Sequence, residues 1–598
     1  MKVISEFAQV FLERFQNVAD KITEYISIFF INFEKFDYIY THVVRIILPV
    51  LAATIFLRCI FPLLRNWKQN TALAYLHMPD GTKTPIRHWE NSIGRSKLSD
   101  IVINLSFVSR THAVITYRNG GWLISDLGSK GGVKVNNQVV EKSMPVNDGD
   151  TISIAGYDMI LDLSGFSQNF DESNLSDEAK MPLYKKKILR TGLTFMLILL
   201  FQCLGGIQIL ASAGDELNKA VPLTLIMFIV VEYTCFVVFK SLGKRFMELE
   251  LLTLFLCGLN LLILSSASPD SLYKQLGAIV AGIIAYFVLT LILSNLDLAR
   301  KVKYLLVAGA LGLLVLNLVL GETRFGAKNW INLGFITIQP MEFVKIAFVI
   351  AGTATLDKLL TTRNITYFIG FSGACIGVLV LIRDFGTAVV FFGAFLVIAF
   401  MRSGDWRTIA LITAGAALGA ITVISFIPYV ASRFKAWGHV WEYADTSGFQ
   451  QTRTMIYAAS GGLFGVGGGN GYLKYIAAAD TDLVFGVISE EWGILIAVMV
   501  FLIIVFYGIY AVFLTKGCRS SFYAIAACGA ASMFLIQTAL NVFGSVDILP
   551  LTGVTLPFVS NGGSSMMASW SLLAFIKSAD HRIRPEKVDA HKRKGVRG

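Results

Sequence analysis

The chain has 598 residues, of which 55% are hydrophobic and only 16% charged, with 52 Lys and Arg against 41 Asp and Glu for a net charge of +11. A soluble chain carries about 25% charged residues, so this one has too few to cover a water-facing surface, and soluble, disordered and secreted disulfide-rich classes are excluded. Apolar runs of about 20 residues match a hydrocarbon core roughly 30 Å thick, so the chain reads as a polytopic α-helical membrane protein.

Residues 1–38 mix Phe and Ile with Lys, Arg, Glu and Asp and show no cleavable signal peptide. A first spanning segment covers 39–65, ended by Arg65 and Lys68. The composition then changes over 70–165 to short β-rich runs, including Ala113 to Tyr117, Trp122 to Ile124 and Thr151 to Ile154. Turn signals such as Asn119-Gly120-Gly121 and Asp148-Gly149-Asp150 separate them. This pattern predicts an inserted all-β sandwich, followed by a polar linker over 166–187.

Within the insert, Gly94-Arg95, Ser109-Arg110-Thr111-His112, Asp126-Leu127-Gly128-Ser129 and Val135-Asn136 resemble the motifs of a forkhead-associated (FHA) domain. The resemblance implies phosphothreonine-peptide binding by loops at one end of the sandwich. A phosphate dianion needs guanidinium and hydroxyl or amide donors, which Arg95, Ser109 and Arg110 can supply, with Lys130 as a further cation. His112 is expected to brace the loop. The family's Ser-Thr-Asn-Gly reads Ser129-Lys130-Gly131-Gly132 here, so the Asn that holds the peptide backbone is missing. A sandwich used only for docking is the alternative reading.

About twelve further apolar segments follow, for a total of about thirteen: roughly 188–211, 219–240, 247–268, 272–294, 302–320, 340–357, 365–383, 387–401, 407–428, 485–511, 522–545 and 559–577. Lys185–Lys187, Lys240 with Lys244-Arg245, Arg300-Lys301, Lys358 with Arg363, Arg402 with Arg407, and Lys516 with Arg519 fall on every second connection. The positive-inside rule makes these cytoplasmic, together with the FHA-like insert and the tail 578–598. Between Lys577 and Gly598 there are eight Lys and Arg against three Asp and Glu, which suits contact with anionic lipid and not a nucleic-acid patch. The loops around 321–339, 383–387, 429–484 and 546–558 are then outside.

Ionisable groups at bilayer depth are functional candidates, because burying them costs several kcal/mol unless something compensates. Asp482 precedes a helix starting near Leu483, with Glu490 and Glu491 about two turns into it. Arg324, Lys328, the i,i+3 pair Glu342 and Lys345, and Asp384 lie on the same outer side. Cations that neutralise a pyrophosphate, beside a carboxylate that takes a hydroxyl proton, suit an anionic lipid substrate. The run Gly461 to Gly471 matches no nucleotide loop and reads as a tight loop with close backbone approach. Each signal has a structural alternative. Asp482 can cap a helix, Glu342–Lys345 can be an internal pair, Trp330 an interfacial anchor, Arg383-Asp384 a helix end and Gly562 to Ser565 a small-residue contact.

In chain order, Gly326 to Ile331, Gln339-Pro340-Met341-Glu342-Phe343-Val344-Lys345, Asp384-Phe385-Gly386-Thr387, the glycine run, Thr481 to Phe485, and Leu549 to Phe558 continuing to Ser565 resemble the SEDS family, the RodA/FtsW/SpoVE group. The resemblance covers 247–577, where the family core has about ten spans; 188–240 adds two helices. It implies an inverting peptidoglycan glycosyltransferase that polymerises lipid II outside the bacterial cytoplasmic membrane, in elongation, division or sporulation, with a class B penicillin-binding transpeptidase as partner. It further implies Asp482 as catalytic base, Lys345 as a pyrophosphate contact and Trp330 as a shaper of the cavity, with Glu342, Lys328 and Asp384 as further substrate-binding candidates. Asp480 stands where the family often has His, Met341 where it has Ser, and Arg383 and Phe385 where it has Pro and Leu. A flippase of lipid-linked precursors and a non-catalytic scaffold are the alternatives. No cofactor is expected: the seven cysteines form no CxxC pair and no metal-ligand cluster is evident, although a divalent ion stays open.

Overall fold

A computed structural model describes residues 34–65, 72–163 and 177–580, save for 97–98, 119–120, 215–216, 242–246, 325–326, 333, 335–336, 356–361, 427–430, 432–433, 516–517 and 519. Residues 1–33, the linker from 164 to 176 and the basic tail from 581 onward lie outside the described residues. The chain is a polytopic helical membrane protein with a β-sandwich inserted after the first helix of the described residues.

Helix α1 is Glu34–Arg65. The sandwich follows, with eleven strands β1 to β11 between Ala74 and Asp162. One sheet has the order β2-β1-β11-β10-β7-β8 and the other β4-β3-β5-β6-β9. The strands used below are β3 (Glu90–Gly94), β5 (Ala113–Arg118) and β6 (Gly121–Asp126). Alternate residues point inward, so Ile93, Ile115, Trp122, Ile124, Ile152 and Leu161 form one core between the sheets.

The membrane part runs α2 (Asp177–Ala213), α3 (Ala220–Ser241), α4 (Glu248–Ala267), α5 (Leu272–Ser294), α6 (Leu296–Leu320), α7 (Pro340–Gly352), α8 (Thr362–Leu381), α9 (Phe385–Ser403), α10 (Trp406–Phe426), α11 (Phe449–Gly461), α12 (Val484–Val487), α13 (Ile494–Leu514), α14 (Ser521–Ser545) and α15 (Gly563–Ser578). Among the described residues, nine helices are long and apolar enough to span a bilayer: α1 to α6, α9, α13 and α14. The other expected segments contain α7, α8, α10 and α15, of which α7 has 13 residues and α15 has 16. Burial sorts the spans. The apolar window of α4 is 94% buried and that of α14 83%, against 17% for α6, so α4 and α14 are interior helices and α6 turns most of its surface to lipid. Helix α14 packs on α9, α13 and α15.

Three expectations change. The connection 321–339, read as a plain loop, forms a small antiparallel sheet of β12 (Glu322–Arg324), β13 (Ala327–Asn332) and β14 (Thr337–Ile338), which feeds directly into α7. The segment 485–511 is not one helix. It breaks into α12, a π-turn over Ile488–Trp492 and α13, with Gly493 at φ 88 between them. Lys577, counted with the basic tail, is buried instead in an ion pair with Glu250 at 3.0 Å, and the Tyr286 hydroxyl donates to the same carboxylate at 2.6 Å. Burying an ion there is tolerable because both partners are present and further hydrogen-bonded.

Candidate active site and phosphate loops

The loop Leu549–Asn561 between α14 and α15 organises the outer site. Helix α14 presents two amides one turn apart. Asn541 Nδ2 donates to Val554 O at 2.8 Å and to Asp482 O at 3.0 Å. Gln537 Nε2 donates to Thr555 O at 2.9 Å, while Gln537 Oε1 accepts from Lys345 Nζ at 3.1 Å. Residues at i and i+4 share a helix face about 6 Å apart along the axis, so Lys345 and Asp482 are tied to neighbouring turns of one helix.

Two glycine-dependent contacts and one serine bridge complete the arrangement. Gly553 has φ 71, and a Cβ there would stand 3.3 Å from Asp482 Oδ2, so the carboxylate lies against a backbone that only glycine readily supplies. Gly386 of the Asp384-Phe385-Gly386-Thr387 motif lets α9 approach the same loop: a Cβ would meet Val554 Cγ2 at 2.6 Å and Thr552 O at 2.9 Å. Ser560 Oγ donates to Thr481 O at 2.6 Å and accepts from Leu556 N at 2.8 Å, closing the loop onto the Asp482 turn.

Asp482 lies one residue before the N-cap of α12, which is Leu483 without a capping side chain. Glu342 and Lys345 form a buried ion pair at 2.7 Å, with side chains 9% and 2% exposed. The ammonium carries three N–H donors; Glu342 and Gln537 take two of them. Asp384 does act at a helix end, as N-cap of α9, accepting from Thr387 N at 3.1 Å. Its other oxygen accepts from Asn329 Nδ2 at 2.9 Å. That bond fastens β13, and so Trp330, to the helix whose Gly386 meets the loop. Lys328 reaches away, donating from Nζ to Leu318 O at 2.8 Å.

The glycine run is a backbone crossing. Val466 N and Gly467 N donate to the carbonyls of Glu490 and Glu491 at 2.9 and 3.0 Å. Glu490 and Glu491 are not substrate-facing in this arrangement. Glu490 accepts from Tyr472 N and Leu473 N at 2.7 and 2.9 Å, and Glu491 from Ser266 Oγ and Gly469 N at 2.5 and 3.2 Å. Asp480 Oδ2 accepts from Ser268 Oγ and Asn561 Nδ2, both at 2.7 Å, so this departure from the family pattern latches α4 and the 549–561 loop together. Sequence reasoning missed Gln537 and Asn541, whose only signal was two amides spaced i,i+4 in an apolar helix.

At the sandwich, Arg95 N donates to Ser109 O at 3.0 Å and Lys130 N to Ser109 Oγ at 3.2 Å, which gathers Arg95, Ser109, Arg110 and Lys130 on one rim. The cation-bearing residues are exposed and Ser109 is half-buried. Its hydroxyl oxygen accepts from Lys130 and still has a proton to donate. His112 is fully buried: Nδ1 accepts from Ser109 N at 3.1 Å, and Nε2 lies 3.1 Å from Gly132 O, so it braces the two loops. Gly131 is explained by its neighbour. A Cβ there would collide with that of Ala155, leaving no room for the asparagine common at this place.

A family model described as a cell cycle protein, FtsW/RodA/SpoVE, matches residues 264–584, and an FHA-domain model matches residues 91–155. The probable peptidoglycan glycosyltransferase FtsW of Escherichia coli O6:H1 is 30% identical over 321 residues, covering 52% of this chain and 77% of that protein. The peptidoglycan glycosyltransferase RodA of Mycobacterium leprae is 31% identical over 345 residues, covering 54% and 71%. Stage V sporulation protein E of Bacillus subtilis is 30% identical over 347 residues, covering 53% and 92%. The chain therefore belongs to the FtsW/RodA/SpoVE family and carries an FHA domain on the N-terminal side of the family's conserved region.

Proposed function

We propose that this chain is a peptidoglycan glycosyltransferase that polymerises lipid II, with its FHA domain as a phosphothreonine-binding regulator. The observation that carries this reading is the convergence of Asp482, Lys345 and the Gly386 end of α9 on one loop, Thr552–Thr555. Asp482 takes the proton from the acceptor sugar's hydroxyl. The oxygen attacks the donor's anomeric carbon, the bond to the lipid pyrophosphate breaks, and its electron pair leaves with the pyrophosphate. Lys345 supplies positive charge toward that leaving group and, through Gln537, holds the loop on which Asp482 rests. Trp330, Glu342 and Asp384 shape and hold the surroundings of these groups, while Lys328, bonded to Leu318 O, stands outside them. The transfer step draws on a base and fixed positive charge, and a divalent ion bound with the pyrophosphate would add to that charge.

The FHA sandwich, through Glu90, and the Asp482 loop are tied to opposite ends of α14, whose length of 25 residues is about 37 Å, enough to cross a bilayer. This supports a cytoplasmic FHA domain and an outer active site, as does the alternation of basic loops. The chemistry points to a partner that crosslinks the nascent glycan, a class B penicillin-binding transpeptidase. The test is polymerisation of lipid II by purified protein. Wild type extends glycan strands and Asp482→Ala does not; full activity in that variant removes Asp482 from the mechanism.

A further inference from the structure

The FHA sandwich touches the membrane core through a contact that its peptide-binding role does not need. Glu90 is only 7% exposed and opens strand β3. Its Oε1 accepts from Ser520 Oγ at 2.6 Å and its Oε2 from Ser521 N at 2.9 Å. Ser520 is the N-cap of α14, and its side chain also accepts from Phe522 N. The first amides of a helix have no partner within it and carry the positive end of its dipole. A buried carboxylate set there is a charge-assisted cap delivered from another domain.

Both ends of this connection matter. Five residues along β3, about 17 Å at strand rise, lies Arg95 of the phosphate rim. Along α14, 16 and 20 residues from Ser521, about 24 and 30 Å away, lie Gln537 and Asn541, which bond Lys345 and the Asp482 backbone. Helix α14 is interior and tightly packed, so it moves as a rigid piece and not by local bending.

From this geometry we infer that Glu90 is a positioning residue for the outer site: it seats α14 on the FHA domain and thereby sets where Gln537 and Asn541 hold Lys345, Asp482 and the 549–561 loop. The inference uses the glycosyltransferase reading for one of its two readouts; the other is independent of activity.

The experiment uses full-length protein in lipid nanodiscs: wild type, Glu90→Ala, Glu90→Gln and Ser520→Ala. Amide hydrogen exchange is followed in the sandwich and in residues 549–561, and lipid II polymerisation is measured on the same samples. In Glu90→Ala, exchange of 549–561 is expected to rise while the sandwich keeps its protection. Turnover should fall about tenfold with KM unchanged, a coupling of ordinary size. Glu90→Gln keeps one acceptor oxygen but faces the Ser521 amide with a second donor, so it should fall between wild type and Ala. Ser520→Ala, which removes one of the two donors to Glu90 together with the helix's own cap, should reproduce part of the defect. Wild-type exchange of 549–561 in Glu90→Ala overturns the inference, as does loosening of that loop only together with the sandwich in every variant. If wild type does not polymerise lipid II, the proposed function fails, and the exchange data alone decide the role of Glu90.

Discussion

The Glu342–Lys345 pair separates what the site needs for folding from what it needs for chemistry. Both side chains are buried, joined at 2.7 Å, with Lys345 held again by Gln537 at 3.1 Å. Glu342→Ala leaves the ammonium buried with only a neutral amide as partner. Breaking a buried pair from one side costs about 3–5 kcal/mol, because the remaining charge is uncompensated. Replacing both residues with apolar groups of similar volume removes that charge, and such replacements are often neutral or stabilising. The expected order of apparent melting temperature in nanodiscs is therefore wild type about equal to Glu342→Met/Lys345→Met, both well above Glu342→Ala. Lipid II polymerisation should follow a different order, with the double variant as inactive as the single one, since Lys345 is the cation proposed to serve the chemistry. An active double variant would refute the role given to Lys345. A double variant no more stable than Glu342→Ala would refute the claim that the pair's cost lies in an orphaned charge.

Gly386→Val should abolish polymerisation with the FHA sandwich intact, because its side chain would be driven into Val554 and the Thr552 carbonyl; overpacking of this kind costs about 1–3 kcal/mol, read as a lowered melting temperature beside the activity loss. Gly131→Asn should destabilise the sandwich through its collision with Ala155, lowering the first thermal transition. Adding Ala155→Gly should restore it, since that change opens the space and relieves a residue held at φ 50. If restored stability comes with tighter phosphothreonine-peptide binding, measured by titration calorimetry on full-length protein, the missing asparagine is what limits affinity here.

The architecture was legible because both of its periods are strong. Apolar runs of bilayer length and alternating short strands each admit one class of structure. Asp482, Lys345 and the residues of the proposed phosphate rim stood out in the sequence as charges in places where charge is costly or as spacings shared with known families. What the sequence hid were contacts whose partners lie far along the chain. Nothing local marks Asp480 as a latch to Asn561, Glu490 as a brace for Tyr472 and Leu473, or the 321–339 connection as a sheet, because each depends on a pairing that only the packed helices create.

Gln537 and Asn541 show the physical reason most clearly. Amides are cheap enough in a membrane helix not to stand out as charges do, yet each must find a partner once buried. Their partners here are backbone carbonyls of the 549–561 loop and of Asp482, and the Lys345 ammonium. Helix α14 thus holds its side of the loop without adding a carboxylate or cation beside Asp482 and Lys345, while the Asp480 carboxylate latches the far end of the loop at Asn561. Substituting Gln537 by Glu would set a new carboxylate against Lys345 and against the Thr555 carbonyl at once. The lysine would gain a second counter-charge, and the loop would lose its donor, so the variant should fold around the pair yet lose turnover.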